Sequence, residues 1–498
     1  MKDKQDHLYI DEVSHHRRRY LKLVQFTQSS TKAAAVMLLA AVVALIVANS
    51  ALYPDFLSFW HADITVGFGS SVHTMSLAHV INDILMALFF LSVGLEIKYE
   101  MAVGELHDVR AALLPIFAAC GGVLVPIVIY LAFNAGSGEA ANGWGVPTAT
   151  DIAFALGILA LLGSRVPSGI KVFLSTLAVA DDIIAILVIA IFYGESPDIG
   201  WLCAAAAVVA ILVLCNKNHV YALVPYLLLG ALLWYCVFMS GIHSTIAGVL
   251  LAFTIPTGSS VNPHGFTHWG GAQVSHAHEA YEPGQPVLGQ QDYLATVAHL
   301  SRVARQVVPP AVRLDHALSP WVSFLILPVF ALTNADVSLG ATSFETVIES
   351  PVFLGVLLGL LLGKPIGIMA FSAFIIKIHA AELPKGANWM HMFGASVLGG
   401  VGFTMAIFVA NLAFADASLI MTAKVGILCA STIAGVIGFL ILFFQARRTS
   451  SKEGTDGTGS AAVEGDTNDA IAEPERGADG TSAAVGHGDD AGVEKQLQ

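Results

Sequence analysis

Four charged residues stand inside long apolar runs of the sequence, namely Asp151, the adjacent pair Asp181 and Asp182, and Lys364. A charge at the centre of a membrane-spanning helix costs about 2.5–3.5 kcal/mol on insertion scales, so each needs a reason to persist. Two adjacent carboxylates in a medium of low dielectric constant cannot both ionise freely, and they exchange protons as one coupled unit. Carboxylate oxygens also suit small hard cations. The pair therefore predicts a site where protons and a metal cation compete, although a pair that only orders helices is the alternative.

Lys364 lies in the segment LLGKPIGIM, near the middle of its apolar run. A lysine paired with an intramembrane aspartate stabilises the unloaded site and can release that aspartate when a cation arrives. We therefore predict that Lys364 is the counter-charge to one of the aspartates. Asp83 is less deeply placed in its apolar run and is an accessory candidate.

Two segments in opposite halves of the chain interrupt their helix pattern with glycine or proline. GWGVPTATDIAFALG contains Thr150 and Asp151, and LGGVGFTMAIFVAN contains Thr404. Such paired interruptions mark the midplane site of inverted-repeat transporters, where half-helix ends face one another. Asp151 would offset facing N-termini and Lys364 facing C-termini. Glycine alone is a common packing residue in membrane helices, but with three carboxylates the two segments predict a transport site.

Further titratable residues lie closer to the ends of the apolar runs. The segment VGLEIKYEM carries Glu96, Lys98 and Glu100, which form either a solvated surface cluster or an acidic mouth that attracts cations and responds to pH. His243, in GIHSTIAG, is a lone imidazole, the side chain whose ordinary charge change falls near neutral pH. A structural hydrogen-bonding role for His243 is the alternative.

The elements that position these residues are membrane-spanning helices. The chain has 498 residues, of which 55% are hydrophobic and 12% charged, which argues against a soluble enzyme, a nucleic-acid binder and a disordered protein. A spanning helix needs about 20 mostly apolar residues, and only helices satisfy the backbone in lipid where no barrel-like alternation is present. Twelve such stretches predict an all-α polytopic membrane protein: 32–50, 77–97, 111–134, 144–162, 168–193, 199–216, 219–238, 241–256, 319–336, 351–376, 391–414 and 421–446.

The distribution of lysine and arginine predicts the orientation. If the N-terminus is cytoplasmic, the outside loops carry no lysine or arginine, which is the asymmetry of the positive-inside rule. We therefore place both termini in the cytoplasm. The inside loops carry Lys98, Arg110, Arg165, Lys171, Lys217, Arg302, Arg305, Arg313, Lys377 and Lys385.

The predicted domain organisation follows from these spans. A cytoplasmic N-terminal segment, 1–31, precedes the first eight spans in 32–256, and the last four spans occupy 319–446. The long cytoplasmic loop 257–318 contains six histidines without a known metal-ligand spacing, so we expect a flexible loop there rather than a metal site. The tail 447–498 is predicted to be disordered and acidic, with a net charge of −8 over 451–498 out of −13 in total. The external segment 51–76 reads as a short β-hairpin or an irregular loop.

Several of these segments together resemble the NhaA-type sodium/proton antiporter family, which is itself one of the inverted-repeat transporters. The resemblance is carried by GVPTATDIAFALGILALLGSRVPSGIKVFLSTLAVADDIIAI, FFLSVGLEIKYE, GIHSTIAGV, LLGKPIG and GGVGFTMAIFVANLAF. It runs from about Lys32 to Phe444, with the segments in family order. It implies a twelve-helix fold with inverted repeats, in which 144–162 and 391–414 are discontinuous and cross.

The family implies a transporter of the bacterial inner membrane rather than an enzyme, without a cofactor. It exchanges one cytoplasmic Na⁺ or Li⁺ for about two external protons, is electrogenic and pH-regulated, and serves sodium and pH homeostasis. The resemblance makes Asp182 the main carboxylate for the cation and the proton. Asp181 then gates access and pairs with Lys364. Thr150, in the first broken helix, would help to bind the cation.

The resemblance also assigns the regulatory residues and the assembly. Glu96 and Glu100 match the family's cytoplasmic pH-sensing cluster, and His243 matches a pH-linked histidine. The hairpin within 51–76 implies a homodimer. The sequence departs from the family at Tyr99, where a basic residue is frequent, and in the longer loop before the ninth span, where Asp315 and His316 are the nearest match to the rest of the sensor.

Three other classes of membrane protein would account for parts of the pattern. A cation channel would need a filter motif or a ring of charges, and no filter motif is present in the sequence. A sodium-coupled symporter for an organic solute would need more polar or aromatic residues at mid-span. A membrane scaffold without transport would leave three buried aspartates without a purpose.

Overall fold

The computed structural model describes residues 24–27, 29–68, 71–194, 197–338 and 347–456, and most of these residues are helical. The prediction of an all-α membrane protein is confirmed, since a helix satisfies every backbone N–H and C=O group within one segment. In these described ranges, nine helices are long and apolar enough to cross a membrane, and a helix pair bent by 43° makes a tenth.

The first half of the chain forms α1 to α9. α3 includes a π-helical turn at Ile81–Leu85, and a 3₁₀ helix at Gly138–Thr148 precedes α5. The bounds are α1 Ser30–Ala48, α2 Tyr53–Trp60, α3 Leu77–Ala102, α4 Val109–Asn134, α5 Ile152–Leu161, α6 Ser168–Phe192, α7 Ile199–Lys217, α8 Leu223–Met239 and α9 Ile246–Thr254.

The second half forms α10 to α16. α12 and α13 include π-helical turns at Val322–Ile326 and Gly359–Gly363, and α14 and α15 are the bent pair. The bounds are α10 Pro263–Glu279, α11 Gln291–Val307, α12 Pro310–Asn334, α13 Pro351–Lys377, α14 Trp389–Gly399, α15 Phe403–Ala413 and α16 Ala417–Asp456.

Ten of the twelve predicted stretches therefore have the length and composition of a span. The other two, 219–238 and 241–256, form the shorter helices α8 and α9, of 17 and 9 residues. For these two stretches, and for the inverted symmetry of the halves, the sequence interpretation stays a prediction.

The segment 257–318 contains a helical hairpin, so the expectation of a flexible loop is wrong there. α10 packs on α11, with the ring centroids of Trp269 and His299 at 5.3 Å and those of Tyr281 and Tyr293 at 5.4 Å. Of the histidines in this segment, His299 contacts Trp269, and Nδ1 of His276 lies 3.3 Å from the hydroxyl oxygen of Thr296. The following helix, α12, begins at Pro310 rather than at the predicted position 319.

The segment after α2, which the sequence predicts to be external, forms a β-hairpin. Strand β1, Asp63–Phe68, pairs antiparallel with β2, Ser71–Ser76, and Asp63 lies opposite Ser76. The hairpin interpretation is confirmed over the irregular loop.

The predicted terminal segments fall mainly outside the described residues. Of the N-terminal segment 1–31 the structure describes 24–27 and 29–31, and of the tail 447–498 it describes the part up to Asp456. The last helix, α16, continues to Asp456, ten residues beyond the predicted end at 446. The predicted disorder is therefore wrong for 447–456, which are helical, and for 457–498 it lies outside the described residues.

α4 and α13 cross in close contact. A methyl group built on Gly367 would lie 2.0 Å from the carbonyl oxygen of Gly121, and one on Gly121 would lie 2.3 Å from the carbonyl oxygen of Gly367. Backbone therefore meets backbone at this point, which only small residues permit. The crossing fixes α13, the helix that carries Lys364, against α4.

We predict that Gly367→Ala destabilises the protein by about 1–3 kcal/mol, because the added methyl group forces the backbones apart. The measurement is the thermal unfolding midpoint of the detergent-purified protein. Gly271→Ala in α10 is the matched control, since no atom lies within 4 Å of the added methyl group. Equal midpoints for Gly367→Ala and the wild type would contradict the assigned packing.

Candidate cation and proton site

The interrupted segments meet where each of them breaks. Between the 3₁₀ helix and α5, the backbone N–H of Asp151 donates to the carbonyl of Val401, with N and O 2.8 Å apart. The hydroxyl of Thr150 donates to the carbonyl of Gly399, the last residue of α14, at 2.9 Å. The predicted discontinuous helices therefore touch at their extended residues, and four helix ends converge on one place.

Asp151 caps two of these helix ends. Its Oδ1 accepts a hydrogen bond from the backbone N–H of Phe154, at the start of α5, at 3.0 Å. Its Oδ2 accepts from the backbone N–H of Thr404, at the start of α15, at 3.1 Å and also from the Thr404 hydroxyl. One carboxylate thus meets the partial positive charge of two N-termini, as the sequence predicted.

Lys364 and Asp181 form a buried ion pair beside the same break. The Lys364 Nζ lies 2.5 Å from Oδ2 of Asp181 and donates to the Thr150 hydroxyl at 2.6 Å. Lys364 is 1% exposed, so the pair is shielded from water. Through Thr150 the ammonium group connects to the carbonyl of Gly399, at the C-terminus of α14, which suits a positive charge. The predicted pairing of Lys364 with an aspartate is therefore present in the structure.

Asp182 has a different environment from its neighbour. It is 2% exposed, and nothing in the described part of the chain forms a hydrogen bond or an ion pair with its carboxylate. It lines a cavity of about 400 Å³, together with Asp151 and Thr404. A buried carboxylate without a protein partner must find water, a proton or a cation.

The cavity leads from Asp182 to an acidic mouth. Glu96 and Glu100 of α3 line it with Asp315 of α12, and Tyr99 lies beside them. Lys98, on the same turn of α3, points elsewhere, because its ammonium group donates to the carbonyls of α9, including that of Phe253 at 2.8 Å. Glu96 and Glu100, which were proposed as an acidic mouth, therefore both line the cavity. Lys98, which lies between them in sequence, instead binds carbonyl groups at the C-terminal end of α9.

Two of the predicted site residues lie apart from this cavity. Nε2 of His243 is 2.6 Å from the carbonyl oxygen of Tyr193, at the C-terminus of α6. Asp83, in the π turn of α3, lies 2.8 Å from Nε2 of His79. Neither residue lines the cavity at Asp182. Their predicted pH-sensing and accessory roles remain predictions.

The structure also reveals polar groups that the sequence reasoning missed. The side chains of Asn82, Asn334 and Asn411 form a hydrogen-bonded triad between spans, with Asn334 bonded to Asn82 at 2.9 Å and to Asn411 at 2.8 Å. Lys424 of α16 pairs with Asp336 at 2.9 Å. Lys424 could have been found by the rule that singled out Lys364, because it too stands in an apolar run. The three asparagines are uncharged, so a search for charged residues within apolar runs does not find them.

The fold and the site together define a polytopic membrane protein in which two broken segments touch beside a buried carboxylate that lines a cavity. The chain belongs to the family described as "Na+/H+ antiporter 1", whose model matches residues 24–442. Three curated relatives bear the name Na(+)/H(+) antiporter NhaA. That of Oleidesulfovibrio alaskensis is 46% identical over 82% of this chain and 90% of its own length, and that of Syntrophobacter fumaroxidans is 44% identical over 85% and 90%. That of Helicobacter pylori J99 is 42% identical over 87% and 98%.

We predict that Lys364→Met destabilises the protein by about 3–5 kcal/mol near pH 8, because it leaves the Asp181 carboxylate buried without its counter-charge. The thermal unfolding midpoint of the purified protein reports the loss. Adding Asp181→Asn should restore most of the stability, since no unpaired charge remains. A double variant less stable than Lys364→Met alone would show that the pair is not the source of the effect.

Proposed function

We propose that this protein exchanges Na⁺ for protons across the membrane. The observation that carries the proposal is Asp182, a buried carboxylate that lacks a protein partner and lines a cavity with an acidic mouth. Its neighbour Asp181 is already compensated by Lys364. The names of the relatives support the same ions.

Antiport follows if the cation and protons compete for the same oxygens. With both aspartates deprotonated, Na⁺ binds Asp182 and neutral oxygens such as that of Thr150, and Lys364 releases Asp181. The site then opens to the other side, where protons displace the cation, and the protonated site returns. If each aspartate carries one proton, about two protons exchange for one Na⁺, and the cycle moves net charge. Li⁺, a similar hard cation, is a second substrate.

The direction of transport rests on the positive-inside asymmetry. Glu100 and Asp315 lie at the ends of α3 and α12 that also carry Lys98 and Arg313, and Arg110 begins the next span. By this rule, the ends rich in lysine and arginine, and with them the mouth of the cavity, face the cytoplasm. In the inner membrane of a bacterium, the proton gradient then drives Na⁺ out of the cell. The same mouth is the proposed pH sensor, with Glu96, Glu100 and Asp315 facing the water that the cation must cross.

The protein is further proposed to act as a homodimer through the β1–β2 hairpin. This hairpin immediately precedes α3 and forms a sheet of only two strands, so pairing with a second copy would extend the sheet. Subunit count by mass determination in detergent, with and without residues 62–76, tests this assembly independently of transport.

We predict that Asp182→Asn abolishes sodium-driven proton movement, lowering the rate at least about a hundredfold, because the amide can neither bind the cation nor exchange a proton. Proteoliposomes with an imposed pH gradient are challenged with NaCl, LiCl and KCl, and the gradient is followed with a fluorescent dye. Asp198→Asn, at the exposed N-cap of α7, is the matched control, since asparagine caps equally well.

Two outcomes of that experiment would sink the proposal. Wild-type protein that fails to dissipate the gradient on addition of Na⁺ is not a sodium/proton antiporter. Sodium current that follows only the sodium gradient, and that persists in Asp182→Asn, would indicate a channel instead.

Competition also fixes the direction of the pH dependence. We predict that the apparent KM for Na⁺ rises as the pH falls, approaching about tenfold per pH unit for each competing proton, because protons occupy the carboxylates by mass action. Initial rates over a series of Na⁺ concentrations at pH 6.5 to 8.5 measure it. A KM that stays constant while only kcat falls would contradict competition at one site.

A further inference from the structure

Two stripes of side chains face each other along the cavity that leads to Asp182. On α3 the stripe is Ser92, Glu96 and Glu100, and on α12 it is Asp315, Ser319 and Ser323; all six line the cavity. Both stripes have a spacing of four residues, which keeps their members on one helix face. α3 packs against α12, and Glu96 lies close enough to Asp315 and to Asp182 to interact electrostatically.

Along both stripes the side chains change from carboxylates near the mouth to hydroxyl groups deeper in the cavity. Glu100 and Asp315 lie at the mouth of the cavity. One helical turn deeper lie Glu96 on α3 and Ser319 on α12, and two turns deeper lie Ser92 and Ser323. At about 1.5 Å of rise per residue, the serines lie about 12 Å beyond the mouth. An entering cation therefore meets carboxylates first and hydroxyl groups afterwards.

The cavity serines have free hydroxyl groups. A helical hydroxyl commonly bonds back to the carbonyl one turn earlier, as Thr333 does in α12, where its Oγ1 donates to Val329 at 2.9 Å. In the part of the chain that the structure describes, Ser92 and Ser323 form no such bond. Their oxygens are free to turn toward the cavity.

We propose that Ser92 and Ser323 supply neutral oxygen ligands that replace water around the cation as it approaches Asp182. The inference rests on the proposed Na⁺/H⁺ exchange and adds two residues that contact the cation on its way to Asp182. A neutral oxygen suits this place, because a passage must bind a cation well enough to admit it and weakly enough to release it. A further carboxylate at the same depth would hold the cation away from Asp182.

The test is the kinetics of Ser92→Ala, Ser323→Ala and the double variant in proteoliposomes at a pH where the wild type is active. Each single variant should raise the KM for Na⁺ about three- to tenfold, as expected for the loss of one polar contact, with kcat within about twofold of the wild type. The effects should multiply in the double variant if the two hydroxyls act independently. Ser323→Thr keeps the hydroxyl and should restore a KM near that of the wild type.

Thr333→Val is the matched control, because it removes a hydroxyl from the same span that bonds only to its own helix. Its KM should be unchanged. An unchanged KM in the serine variants, or a fall in kcat together with a lower unfolding midpoint, would overturn the proposal in favour of a packing role. Either result leaves sodium/proton exchange by the wild type intact, whereas a wild type that exchanges no Na⁺ would remove the proposed function itself.

Discussion

The buried ion pair between Lys364 and Asp181 is the interaction on which the rest of the site depends. An ammonium group and a carboxylate are each costly to bury, and their mutual attraction offsets that cost only when the geometry is good and the remaining hydrogen bonds are made. Here Thr150 supplies one of those bonds and passes the contact on to the C-terminus of α14. The pair therefore holds α13, α6 and the two broken segments together in one arrangement. Because Lys364 neutralises Asp181, the adjacent Asp182 has no counter-charge from this lysine.

The three aspartates differ in how firmly the fold holds them. Asp151 accepts three hydrogen bonds from α5 and α15 and is fixed at the helix ends. Asp181 is held by a partner that can in principle be exchanged. Asp182 is held by nothing in the described chain and lies against the cavity. This gradation separates the residue that stabilises the crossing from the residues that can change partner, and a transport cycle needs both kinds.

Much of this arrangement could be predicted from the scarcity of charge within the spans. The pairing of Lys364 and the capping role of Asp151 followed from asking how each charge could be tolerated in lipid. The helical hairpin α10–α11 could not be predicted in the same way, because its apolar stripe is interrupted by histidine and glycine and is stabilised by contacts between aromatic rings. The direction of the Lys98 side chain could not be predicted either, because it is set by carbonyl groups at the end of α9, a helix distant in sequence.

The π-helical turns explain why side-chain direction is the least predictable property of this site. A π turn adds a residue to the helix and rotates everything beyond it, and such turns are frequent at functional sites. The turn Gly359–Gly363 immediately precedes Lys364, and Ser323 lies within the turn Val322–Ile326. Gly359 also permits close contact, because a methyl group there would lie 2.7 Å from Cβ of Pro147. A regular helix extrapolated from the start of α13 would aim Lys364 about 100° away from its observed direction. The local departure from helical geometry thus brings the lysine to Asp181, and it does so through backbone conformation that apolar periodicity does not encode.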